Sequence, residues 1–147
     1  MVGKVDNHVQ LISYPDSLGG DLRSLEKLLS GAFEDLFPGG IHILPPFPST
    51  ADRGFAPVTY QRIDPGFGGW EDIRRIARRR PVLLDLMINH VSRQSEHFQD
   101  YLEHGPDSPY ADMFITLDKM WEDGTPRKED IARIFLRRER PFSEYAR

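Results

Sequence analysis

The sequence predicts an α/β fold with a parallel sheet. Short apolar runs bounded by Pro, Gly and charged residues recur at positions 8–14, 41–44 and 82–88. Segments with apolar residues at helical spacing separate them. Strands alternating with helices in this way give parallel pairing through right-handed crossovers. The third run, Val82-Leu83-Leu84-Asp85-Leu86-Met87-Ile88, is apolar except for one acid and is followed by Asn89-His90. Apolar runs of this length mark strands covered on both faces. Polar side chains at a strand's C-terminal end lie where parallel α/β folds place ligand sites.

Taken in order, residues 1–7 are polar. Residues 8–14 alternate and carry Val9 and Ile12, which predicts a first strand. After the loop 15–20, Asp21 is placed to cap a helix over 22–37, with Leu22, Leu25, Leu28, Leu29, Ala32, Phe33 and Leu36 along one stripe. Pro38-Gly39-Gly40 stops that helix, and Pro45-Pro46 ends the second strand at 41–44. A loop rich in Pro, Gly and aromatics runs from 45 to 69. Loops of this length inside compact domains are often functional. Trp70 opens a second helix, with Glu71 and Asp72 in the first turn and Arg residues towards its end. The third strand, 82–88, leads into a third helix over 92–103.

Beyond His104 the sequence is polar, turn-rich and weakly periodic. The expected organisation is therefore 1–104 as the N-terminal part of a barrel and 105–147 as the start of an inserted, loop-rich subdomain. Three strands do not close a TIM-type (β/α)8 barrel, which needs about 250 residues. The expectation is the first three βα units of such a barrel, as a fragment of a longer protein. The alternative is a complete small three-layer α/β domain, under which the long loop and the polar tail are hard to explain.

Of the 147 residues, 39% are hydrophobic and 29% charged, an ordinary globular balance. The formal net charge of −4 argues against a nucleic-acid-binding chain. There is no cysteine for a disulfide or thiolate metal site. No apolar run approaches the roughly 18 residues of a membrane span, and no basic-then-apolar leader is present, so a cytoplasmic location is expected.

The loops after the three strands share one face of a parallel barrel. They offer Tyr14 and Asp16, then Asp52, Arg53, Phe55 and Tyr60, then Asn89 and His90. Carboxylates and an imidazole among aromatic rings suit a neutral, hydroxyl-rich ligand such as a sugar. No Gly-rich phosphate cradle with a following Lys and no HExxH spacing is present.

The string Asp85-Leu86-Met87-Ile88-Asn89-His90 resembles the first conserved region of the α-amylase superfamily of glycoside hydrolases. The strings 9–19, His42-Ile43-Leu44-Pro45-Pro46-Phe47-Pro48-Ser49, Asp52-Arg53-Gly54-Phe55-Ala56-Pro57, Asn89-His90-Val91-Ser92-Arg93 and Phe98-Gln99-Asp100 are similar to its sucrose phosphorylase branch. The resemblance runs from about residue 9 to 142. It implies retaining glucosyl transfer. A carboxylate attacks the anomeric carbon of sucrose or a related α-glucoside, a second carboxyl protonates the leaving sugar, and phosphate releases α-glucose 1-phosphate. It further implies that these catalytic groups lie beyond Arg147, so that the segment alone is inactive, and that no cofactor or metal is needed. The partners are sucrose or a related α-glucoside and inorganic phosphate, and a homodimer of the full-length protein is one assembly to test for.

By position, the resemblance makes Asp52 a ligand of the glucose hydroxyls, Phe55 the platform under the ring and His90 a wall of the pocket. The competing readings are a turn residue beside Gly54, a core cover and a strand cap. Asp85 reads as structural, buried against an Arg of a neighbouring strand. Asn89 is also structural, although it matches a calcium ligand of true amylases. Arg137 and Arg138 resemble the loop that reaches acceptor and phosphate. Arg138 aligns with a phosphate-binding Arg, and Arg137 suits an anionic partner such as fructose 6-phosphate or glycerate. They read equally as a solvated charged loop. The run Arg74, Arg75, Arg78, Arg79 and Arg80 reads as solvated surface. A hydrolase of the same superfamily and a non-catalytic carbohydrate-binding remnant are the alternative functions.

Overall fold

The structure, a computed structural model, describes residues 7–134. The chain divides into two compact units, 1–96 and 97–147.

The first unit is built on three parallel strands in the order β1 (Leu11–Ser13), β2 (Ile41–Ile43) and β3 (Val82–Leu84). The registers Leu11↔Ile41↔Val82, Ile12↔His42↔Leu83 and Ser13↔Ile43↔Leu84 define two faces. Helices α1 (Leu22–Leu29) and α2 (Trp70–Ala77) pack on each other. Leu22, Leu25, Leu29, Ile73 and Ile76 form one core with Ile41, Ile43, Phe47 and Ile63. The middle row points the other way, and there Ile12 remains 62% and Leu83 44% exposed.

The strands are shorter than the sequence predicts. Pro15 and Pro45 follow β1 and β2 closely, and past Leu84 β3 has no strand partner among the described residues. Leu86 and Ile88 leave the sheet and are exposed. At its start β2 is held tightly. Gly40 has φ +102°, and a Cβ there would stand 2.3 Å from Pro81 O. The adjacent Ile41 N–H donates to that carbonyl at 2.9 Å, so the bare backbone lets β2 and β3 meet.

Asp21 caps α1 as expected, accepting the Ser24 N–H at 2.7 Å. The helix ends at Leu29, however, well short of Phe37. Ser30 N–H donates to Glu26 O, Phe33 N–H turns back to Leu28 O, and the Arg80 guanidinium takes Leu29 O. With its last carbonyls satisfied, the helix has no reason to continue through Gly31. At α2, Asp72 accepts from Gly69 N–H at 2.7 Å and from the guanidiniums of Arg23 and Arg75. This carboxylate is only 3% exposed, and the two Arg contacts offset its burial. Two residues of the basic run, Arg75 and Arg80, are thus engaged in structure.

Helix α3 (Glu96–His104) begins later than Ser92. Ser92 N–H donates to Pro57 O at 2.8 Å, and its hydroxyl accepts from Gln94 N–H at 3.0 Å. Ser92 is therefore committed to a turn.

The second unit contains the rest of α3, then α4 (Leu117–Met120) and α5 (Lys128–Ile134), with 3-10 turns at Gly105–Asp107 and Ala111–Met113. Aromatic contacts tie it together. His97 meets Tyr110 edge-on at 4.6 Å, and Phe114 lies 5.3 Å from Phe98 and 5.0 Å from Tyr101. Lys119 Nζ donates to the carbonyls of Ala111 and Phe114. No helix among the described residues is long and apolar enough to cross a membrane.

Candidate functional site

The loop after β2 folds back on itself. Ser49 bridges Pro57 in antiparallel fashion, Thr50 N–H donates to Ala56 O at 3.1 Å, and Val58 N–H donates to Pro48 O at 2.8 Å. The Ser49 hydroxyl donates to Ala51 O at 2.7 Å and accepts from Ala56 N–H at 3.1 Å. The tip is a 3-10 turn over Asp52–Gly54. Gly54, at φ +101°, sits against Pro45, where a Cβ would come within 2.3 Å of the carbonyl oxygen. Arg53 is the one non-glycine residue with positive φ among the described residues, at +46°.

This tip is fixed to both neighbouring loops. On the β1 side, Arg53 Nη2 donates to Asp16 Oδ1 at 2.7 Å, and its guanidinium carbon lies 3.9 Å from the centre of the Tyr14 ring. On the β3 side, His90 Nε2 lies 2.6 Å from Phe55 O. The Thr50 and Ser92 hydroxyls meet at 2.6 Å. Deeper down, the Tyr60 hydroxyl donates to Met87 O at 2.8 Å. Burial pushes the Tyr60 phenol above its ordinary value of 10.0. Tyr60 and Trp70 both pack against Phe47, and Trp70 Nε1 donates to Gln61 O.

Of the residues singled out in the sequence, Phe55 and His90 are brought together, and Asp52 opens the tip that carries Phe55. His90 and Asn89 are exposed, and Phe55 is half-buried. Arg137 and Arg138 lie outside the described residues.

Asp85 meets a neighbour that the sequence reading did not single out. It stands one residue beyond the end of β3, is half-buried, and faces His42 of β2, with Nε2 to Oδ2 at 3.1 Å. On the β2 side its neighbour is the imidazole of His42, which that strand presents on this face. The two atoms are close but poorly aligned, so Oδ2 is shielded from solvent without a hydrogen-bond donor. The sequence reading passed over His42, although a polar residue inside the short apolar run 41–44 was the available signal.

A cavity of about 340 Å³ lies beside the tip, bordered by Tyr14, Asp16, Phe47, Ser49, Arg53 and Asp64. Phe55 and His90 are not among the residues that border it. Among the described residues no three His, Asp or Glu side chains converge on a point a metal could occupy.

Residues 15–137 match the family model described as the alpha-amylase catalytic domain. Over 139 residues the chain is 60% identical to sucrose 6(F)-phosphate phosphorylase of Thermoanaerobacterium thermosaccharolyticum, covering 95% of this chain and 28% of the relative. It is 43% identical to sucrose phosphorylase of Streptococcus mutans, covering 91% of this chain and 28% of that one. The crystal structure of sucrose 6F-phosphate phosphorylase from Thermoanaerobacter thermosaccharolyticum superimposes with a TM-score of 0.86, covering 96% of this chain and 28% of that structure. The chain therefore spans little more than a quarter of the length of these relatives. The match over residues 15–137 places the chain in the alpha-amylase family, and its three parallel strands are those of an open piece of that barrel fold.

Proposed function

We propose that residues 1–147 supply one side of the glucose pocket of a retaining phosphorylase. This enzyme transfers glucose from sucrose, or a sucrose derivative with an anionic partner sugar, to phosphate. The observation that carries the reading is the contact between His90 and the Phe55 carbonyl. It joins the loops after β2 and β3 at the two residues that resemble sugar contacts, and the relatives at 60% and 43% identity bear phosphorylase names. Asp52, Phe55 and His90 hold the glucosyl unit. The nucleophile and the acid/base belong to chain beyond this segment. Residues 105–147 belong to an inserted subdomain, in which Arg138 binds phosphate and Arg137 an anionic leaving sugar. The charged product, glucose 1-phosphate, is retained by a membrane, so a cytoplasmic site of action goes with this reading.

The test uses the full-length gene product containing residues 1–147, supplied with sucrose or sucrose 6F-phosphate. Phosphate-dependent release of α-glucose 1-phosphate is expected. Glucose release that ignores phosphate would replace the reading with a hydrolase. Within the same protein, Arg137→Pro is expected to weaken use of the phosphorylated donor far more than use of sucrose, and equal effects on both remove Arg137 from the acceptor side.

A further inference from the structure

The tip that carries Asp52 and Phe55 owes its position to a side chain between them. Arg53 holds a left-handed backbone, which disfavours any residue with a Cβ, so surrounding contacts must impose it. Its guanidinium supplies two of them: a charge-assisted hydrogen bond to Asp16 and a face contact with Tyr14. Both partners belong to the loop after β1, whereas His90 holds the same tip from the loop after β3. Arg53 and Asp16 are 55% and 40% exposed, so their charge attraction alone is weak and solvent-screened. Its effect lies in fixing where the tip sits between its two neighbours. Arg53 also lines the cavity with Asp16 and Ser49, which Phe55 and His90 do not border.

We propose that Arg53 is a positioning residue for the glucose-donor subsite. It anchors the 52–55 tip to the loop after β1 and so sets Asp52 and Phe55 against His90 without touching the sugar itself. The proposal rests on the phosphorylase reading above.

The experiment compares Arg53→Ala, Arg53→Gly and Asp16→Asn in the full-length gene product. Glycine adopts the left-handed backbone freely, so Arg53→Gly removes the anchor without leaving backbone strain. Both Arg53 variants are expected to raise the donor KM about fivefold while leaving the phosphate KM unchanged, as loss of donor positioning requires. Asp16→Asn should act in the same direction, and adding it to Arg53→Gly should change nothing further, because the two residues act as one contact. In parallel, amide hydrogen exchange across 51–56 should quicken in both Arg53 variants. An unchanged donor KM, or donor and phosphate KM rising together, overturns the donor-positioning role. Unchanged exchange overturns the anchor itself. If the unsubstituted protein performs no phosphorolysis, the function reading fails and the donor role fails with it, while the exchange measurement still decides whether Arg53 anchors the tip.

Discussion

At Asp21 one carboxylate organises a helix end and makes it sensitive to acid. The Ser24 N–H contact, backed by the Ser24 hydroxyl, holds its carboxyl below the ordinary value of 3.8. A carboxyl with a lowered folded-state pKa adds stability that is present above the unfolded value and lost as pH falls through the folded one. Protection of the Ser24 amide should therefore be constant at neutral pH and decline once the pH drops below about 4. Asp21→Asn keeps an acceptor but removes the titration, so its protection should be flat over the same range; NMR-detected exchange distinguishes the two. Gly54 poses a steric question at the same scale. Gly54→Ala places a Cβ against Pro45 O on a left-handed backbone. The expected cost is more than about 1 kcal/mol in a urea titration, and a variant as stable as the parent would mean the tip relaxes freely.

Between elements, the Tyr60 hydroxyl ties the long loop to the segment after β3 through Met87 O. Tyr60→Phe leaves the aromatic packing on Phe47 intact and removes that bond alone. Destabilisation of about 1 kcal/mol is expected, with faster amide exchange confined to residues 85–90 as its signature. Uniform loosening of the whole unit would show instead that the ring, and not the hydroxyl, matters. The elements also show what a sequence can and cannot reveal. The starts of α1 and α2 were legible because their causes are local: Asp21 and Asp72 each sit within three residues of the N–H they accept. Helix and strand ends were not, because distant groups decide them. Arg80 closes α1 from 51 positions away, and β3 stops where β2 ceases to offer a partner. The candidate site divides in the same way. Phe55 and His90 were singled out through two distinctive strings, and the fold brings the His90 ring to the Phe55 carbonyl, whereas the residue facing Asp85 on the β2 side depends on which one β2 turns that way.

At the scale of the first unit, the sheet has one neighbour for β1 and one for β3 among the described residues. Unpaired edges, together with exposed Ile12 and Leu83 on one face, favour pairing with other chains. The 147-residue chain on its own is therefore expected to increase in apparent mass with loading concentration in light-scattering chromatography, and a constant monomer mass would show that these edges are blunted. The parallel order of the strands also limits the form such association takes. Continuing the ladder sets β3 of one copy against β1 of the next, joining two different surfaces. A contact of that kind is heterologous, so it repeats until a rotation happens to close it into a ring, and otherwise it does not stop. A discrete two-fold dimer would require like edges to meet and run antiparallel, so a graded series of sizes is the signature of growth through this sheet.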